Sequence, residues 1–242
     1  MGKPGNSETV AASERQVVIP AGGVLLDGTL RVPGRPTGLV VFAHGSGSSR
    51  FSPRNRFVAE TLNRSRMATL LLDLLSIDEG ARDTRTAEYR FDIPRLAGRV
   101  VGALEWASRQ PELHALRVGL FGASTGAAAA LIAAAEQPGR VRAVVSRGGR
   151  PDLAGDALEE VQAPCLLIVG AKDPEVIALN REAAAQLGAE HQLVLVPDAT
   201  HLFEEPGTLE EVAFLAADWF ERHLGAQPLL PNGAPPRPRL VR

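Results

Sequence analysis

At 242 residues, with 45% hydrophobic and 22% charged side chains, the chain has the makeup of a soluble globular protein and the length for one full core. A formal net charge of -2 excludes the broad basic field that attracts nucleic acid, and no segment approaches the ~18 consecutive apolar residues of a membrane span. The single cysteine, Cys165, excludes an internal disulfide; within the apolar run 163–169 it reads as a buried structural thiol.

In chain order, residues 1–14 are polar, lack the apolar stretch of a secretory signal, and read as a flexible arm. With a lone thiol, this points to a cytoplasmic protein. Residues 16–19 and 24–32 pattern as a hairpin around Gly22-Gly23. The rhythm then changes to nearly unbroken apolar runs at 39–42, 68–72, 118–121, 141–145, 165–169 and 193–196. Such runs belong to strands covered on both faces, as in a parallel sheet.

Between them lie helical patterns at 53–66, 93–109, 125–136, 175–187 and 208–224, with Pro53 and Pro94 near helix starts and Gly188 after a helix end. Strand and helix in alternation predict an α/β fold: a doubly wound, mostly parallel sheet of about eight strands with helices on both faces. The domain is expected over residues 15–225. Residues 226–242, rich in proline, read as an extended tail. A homo-oligomer stays open, with that tail as one segment that would dock on a neighbouring subunit.

In such a sheet, ligands gather beyond the carboxyl ends of the strands, so the polar residues there carry the functional argument. Gly122-Ala-Ser-Thr-Gly126 matches G-x-S-x-G between the strand at 118–121 and an alanine-rich helix. The serine of that pattern must stand on a sharp turn, where bulky neighbours two positions away would collide with strand or helix. Ser124 is therefore the candidate nucleophile, at a helix N-terminus that favours developing negative charge.

A serine hydroxyl needs a base, and the base needs an orienting acid. Asp173 follows the strand at 165–169 and His201 follows the strand at 193–196, giving the chain order Ser, Asp, His. Asp198, three residues before His201, is the main rival to Asp173, and Asp73 a weaker one. Of the other histidines, His114, His191 and His223 read as surface residues. His44, in His44-Gly-Ser-Gly47, reads as a structural turn residue rather than a base.

Acyl transfer also needs two donors aimed at the oxyanion. The backbone N–H of Thr125 is one candidate; Ser46 supplies the other, with Gly47 as the near alternative. Losing one such donor typically costs about 3 kcal/mol in the barrier. Strand-end loops also carry Arg50, Arg54, Arg82, Arg85, Arg90, Arg147 and Arg150. Arg50, Arg54, Arg147 and Arg150 are candidates for holding a substrate carboxylate, although neighbouring Asp78, Glu79, Asp83, Glu88 and Asp92 make mutual salt bridging the first reading for this group. No H-E-x-x-H or close His/Asp cluster suggests a metal, and no cofactor is expected.

Together, the segment from Phe42 to Asn55, the elbow Gly122–Gly126, Ser146-Arg-Gly-Gly-Arg-Pro-Asp152 and Ala199-Thr-His-Leu-Phe-Glu-Glu-Pro206 resemble the α/β-hydrolase superfamily. Over residues 16–224 the chain is similar to its dienelactone-hydrolase-like branch. One departure is that dienelactone hydrolases proper use a cysteine nucleophile, whereas this elbow holds Ser124. Only residues 147–163 separate two central strands where many superfamily members insert a lid, so an open, shallow site for small esters is expected.

The resemblance implies a serine-dependent carboxylic-ester hydrolase acting on a small-molecule ester through an acyl-enzyme. Lactone, thioester, amide or peptide cleavage by the same residues is the alternative. A non-catalytic binding protein of the same fold is the alternative from another class.

Overall fold

The computed structural model describes residues 12–225. Most of the expected arm and all of the expected Pro-rich tail lie outside the described residues. Ser13 and Glu14, expected within the arm, pair instead with Val32 and Arg31 in a strand.

Strands β1 (Ser13–Ala21) and β2 (Val24–Val32) form the antiparallel hairpin, turning through Gly22 and Gly23 at φ +52° and +78°, where a side chain would be strained. The others are β3 (Gly38–Ala43), β4 (Met67–Leu72), β5 (Val118–Ala123), β6 (Val141–Arg147), β7 (Cys165–Gly170) and β8 (His191–Val196). They complete one eight-stranded sheet in the order β1-β2-β4-β3-β5-β6-β7-β8. Every neighbouring pair from β4 onward is parallel.

The central strands β3, β4, β5 and β7 are buried along their whole length, which is why their sequence shows no polar alternation. One face packs on helices α3 (Ile93–Ala107), α4 (Thr125–Glu136) and α6 (Pro174–Gln186), with Leu96, Val100, Leu104, Leu131 and Ala183 in that layer. The other face packs on α1 (Pro53–Arg64) and α7 (Thr208–Leu224), through Val58, Leu62, Val212, Trp219 and Phe220. Along β3 the layers alternate: Val41 joins the first, Val40 and Phe42 the second. At about 2 kcal/mol for each large apolar side chain removed from water, the two layers hold the sheet between them.

Only a short 3-10 turn (Pro151–Ala154) and the single-turn helix α5 (Ala157–Glu160) stand between β6 and β7, so no cap domain is inserted there. One helix, α2 (Ile77–Thr86), was not expected from the sequence. Its segment is polar and carries Gly80, so apolar periodicity is missing. The signal that marks it is a capping box: the Ser76 hydroxyl accepts from Glu79 N–H at 3.3 Å while the Glu79 carboxylate accepts from Ser76 N–H at 2.9 Å. Parallel pairing brings the carboxyl ends of β3, β5, β6, β7 and β8 to one edge, where the loop at 44–49, Ser124, Arg147, Asp173 and His201 stand.

Candidate active site

Ser124 takes φ +51° and ψ -125° between β5 and α4, an unfavourable conformation for a residue with a side chain. Three backbone bonds hold it: Ser124 N–H donates to the Arg147 carbonyl, and its own carbonyl accepts from Ala127 and Arg150 N–H. The flanking glycines are steric requirements. A Cβ on Gly126 would lie 2.3 Å from the Ala43 carbonyl oxygen, and one on Gly122 would lie 2.4 Å from Ala127 Cα. The Ser124 side chain stands over Gly45, where an added Cβ would sit 3.0 Å from Ser124 Cβ.

Asp173 and His201 meet as expected: Asp173 Oδ2 lies 2.7 Å from His201 Nδ1. Asp173 is the N-cap residue of α6, yet its side chain does not cap the helix; the carboxylate is committed to the imidazole. The loops that carry the pair are tied together, since Ala171 and Lys172 N–H donate to the Val196 and Ala199 carbonyls. Glu205 clips the histidine loop by accepting from Thr200 N–H at 3.1 Å and from its hydroxyl at 2.6 Å. Ser124 and His201 line one cavity of about 220 Å³, with Gly45, Ser46, Ser48, Ser52, Arg54, Asn55 and Arg147. The structure records no direct Ser124–His201 hydrogen bond, and such bonds commonly tighten only when substrate is bound.

The rivals are engaged elsewhere. Asp198 pairs with Lys172 at 2.9 Å on the exposed surface. Asp73 binds Arg50, accepting from its backbone N–H at 2.7 Å and from its guanidinium. His44 is buried, with Nδ1 2.8 Å from the Gly45 carbonyl and Nε2 accepting from Leu74 N–H at 3.0 Å. Its lone pair is used, and it ties the ends of β3 and β4 together. Burial holds its pKa below 6.5, against the Gly45 carbonyl and the Asp73 charge.

The two oxyanion candidates are joined to each other. Thr125 N–H belongs to the first turn of α4, where helix donors lack an internal partner. Ser46 N–H donates to the Thr125 hydroxyl at 2.9 Å. It is therefore occupied in the resting state and must be shared or released to reach an oxyanion.

The four candidate arginines separate. Arg50 is held by Asp73, with Asp27 at 3.6 Å. Arg150 makes a two-pronged pair with Asp152, at 2.9 and 2.8 Å. Both side chains are thus engaged in salt bridges within the fold, and neither lines the cavity at Ser124. Among the described residues Arg54 meets only the exposed Glu204, at 3.3 Å. Arg147, 8% exposed, has no carboxylate partner among the described residues; its one hydrogen bond runs from Nη2 to Asn55 Oδ1 at 3.4 Å, leaving Nε and Nη1 unpartnered. Burial, and then the neighbouring Arg54 charge, push its pKa down to about 10.

Cys165 is fully buried in β7, and burial pushes its thiol pKa up to about 12, so it has no nucleophilic role. His223 corrects the surface reading: it is half-buried and packs on Trp219, with ring centroids 4.6 Å apart. Across the loop at 44–49 lies a larger cavity of about 510 Å³, lined by Ser46, Asp73, Ile77, Asp83 and Arg90 among others. The expected open, shallow site is thus a small cleft with a larger hollow beside it. Among the described residues no cluster of three or more His, Cys, Asp or Glu side chains could hold a metal ion, and no helix is long and apolar enough to cross a membrane.

Comparison with known proteins gives three kinds of match. The model of the dienelactone hydrolase family matches residues 78–225. A crystal structure of a dienelactone hydrolase from Anabaena variabilis is 56% identical, with a TM-score of 0.87 over 88% of this chain and 99% of that one. Est1E from Butyrivibrio proteoclasticus, at 17% identity and a TM-score of 0.71, shares the fold over 86% of this chain and 98% of its own. Two Mycobacterium tuberculosis proteins, each named as a phosphoribosyl transferase, are 56% identical over 211 residues, 87% of this chain and 47% of theirs. The chain therefore spans about half the length of those relatives.

Proposed function

The chain belongs to the dienelactone hydrolase family, and from that premise we propose that it is a serine-dependent carboxylic-ester hydrolase for small esters, with Ser124 as nucleophile, His201 as base and Asp173 as orienting acid. The observation that carries the reading is the 2.7 Å Asp173–His201 contact, which opens onto the same cavity as a serine held at φ +51°.

His201 Nε2 takes the Ser124 proton as Oγ bonds to the ester carbonyl carbon. The carbonyl oxygen becomes an oxyanion facing Thr125 N–H, with Ser46 N–H, once released from the Thr125 hydroxyl, as second donor. Collapse breaks the bond to the leaving alkoxide, which takes the proton back from His201. Water, deprotonated by the same imidazole, then attacks the acyl-enzyme; acid leaves and Ser124 Oγ recovers its proton. Asp173 keeps His201 in the tautomer with Nδ1–H and stabilises its cation.

The cavity of about 220 Å³ and the uncapped β6–β7 connection favour short acyl groups over long ones. Acetate and butyrate esters should be cleaved faster than long-chain esters of the same alcohol. Lactone, thioester and amide substrates use the same groups, and a panel of all four discriminates them. The transferase name of the Mycobacterium relatives describes proteins with more than half of their length outside the match, and the cleft at Ser124 supports acyl transfer. A fluorophosphonate probe tests the reading: wild type should be labelled and Ser124→Ala should not. No labelling of either would leave a binding protein of this fold, and equal labelling of the two would place the reactive group on another residue.

A further inference from the structure

We infer that the cavity of about 510 Å³ under α2 is a leaving-group subsite, taking the uncharged, ring-bearing alcohol portion of an ester whose acyl group sits at Ser124. This rests on Ser124 being the nucleophile and on the acyl group being short.

Gly45, Ser46 and Ser48 line both cavities, so the loop at 44–49 is their common wall. Ser46, whose N–H is the second oxyanion donor, stands in that wall. An ester carbonyl carries two substituents, and one held there has room for a small group over Ser124 and a larger one under α2. Only the alkoxide oxygen must reach His201; the rest of the alcohol can turn into the hollow.

The volume falls within the ~300–1,000 Å³ of pockets that enclose small ligands. The walls combine Leu75, Ile77 and Leu96 with the hydroxyl-bearing Ser49, Ser76 and Thr84. Ile77 is 79% exposed, more than any other large apolar side chain among the described residues; a ligand in the hollow would cover it. The charged groups there answer each other: Asp73 binds Arg50, with Asp27 at 3.6 Å, and Asp83 binds Arg90. A charged ligand would have to break one of these pairs, which selects a neutral one.

Gly80 lies within α2 and on the wall of the hollow. Its φ is not positive, and a Cβ added there would meet nothing within 4 Å. Neither backbone conformation nor packing calls for glycine, which weakens a helix interior. The missing side chain instead keeps the hollow wide. The helix above it is firmly held, since Glu79 accepts from Ser76 N–H and pairs with Arg95 and Arg99 at 3.3 and 2.8 Å.

Reversing the ester tests the assignment. In 2-(2-naphthyl)ethyl acetate the ring is on the alcohol; in its isomer methyl 3-(2-naphthyl)propanoate it is on the acyl group. The acetate should have a kcat/KM about tenfold or more above both that isomer and ethyl acetate, and a carboxylate on the naphthyl ring should remove most of the gain. Gly80→Leu, which fills the hollow and favours the helix, should lower the ratio of naphthylethyl to ethyl acetate about tenfold. A preference for the propanoate, an equal gain for the charged ring, or a ratio that Gly80→Leu does not move overturns the proposal. If Gly80→Leu does not fold, the two isomers on the wild type decide. Calorimetric titration of 2-(2-naphthyl)ethanol into Ser124→Ala reads the subsite without turnover: binding that Gly80→Leu weakens about tenfold supports it, and no binding overturns it. Fluorophosphonate labelling of the wild type separately reports on Ser124, so a failed nucleophile and a failed subsite give different results.

Discussion

Two cavities flank the loop at 44–49, and their charges are arranged in opposite ways. The larger, under α2, is crowded with arginine and aspartate, but Arg50 answers Asp73 and Arg90 answers Asp83. The smaller, over Ser124, has two arginines and no carboxylate lining it. In the first, charge holds loops in place; in the second, the buried Arg147 has no carboxylate partner among the described residues. The contrast separates arginines that look equivalent in sequence, since all stand in strand-end loops.

The largest expected difference is chemical. Asp173→Asn should lower kcat for a short ester by about 10⁴-fold with little loss of thermal stability, because its carboxylate serves His201 and caps nothing. A comparable fall in melting temperature would mean that the pair is structural. In the larger cavity the reverse is expected. Asp83 is buried and accepts from Tyr89 N–H, Arg90 N–H and the Arg90 guanidinium; Asp83→Ala should cost about 2–3 kcal/mol in denaturant unfolding. Its burial opposes ionisation, but those donors and the Arg90 charge hold its pKa below 3.8. That contribution is present above the unfolded value and is lost as pH falls below it.

Arg147→Met should be neutral or stabilising by about 1 kcal/mol, since it removes a buried charge without orphaning a partner. A loss as large as that of Asp83→Ala would erase the distinction between the cavities. The smallest effect belongs to two histidines drawn out of water, His44 after β3 and His223 on α7. His44 and His223 both have pKa values lowered below 6.5, chiefly by burial. Their stabilisation is complete above the unfolded value and declines as pH falls through it, so the urea midpoint should drop between about pH 7.5 and 5.5. His44→Gln should flatten part of that slope; an unchanged slope would assign it elsewhere.

The sheet was legible because its strands are buried on both faces, and the helices between them were legible down to the bounds of α4 and α7. The elbow was legible because only glycine fits at 122 and 126, and the acid and base because parallel strands deliver them to one edge. Salt bridging was legible for Arg82 and Arg90, which meet Glu88 and Asp83, but not for Arg50, since it and Asp73 come from different strand ends and their contact depends on loop geometry. Nor was the Ser46–Thr125 bond, which joins loops 79 residues apart. Helix α2 escaped because capping, not apolar periodicity, marks it.

The central claim is that acyl groups pass through Ser124, and trapping the intermediate tests it most directly. Rapid acid quench of wild type turning over 4-nitrophenyl acetate, followed by peptide mass spectrometry, should find one acetyl group on Ser124 and none in Ser124→Ala. Full turnover with Ser124 unmodified, or with the acetyl group on another residue, would contradict the account.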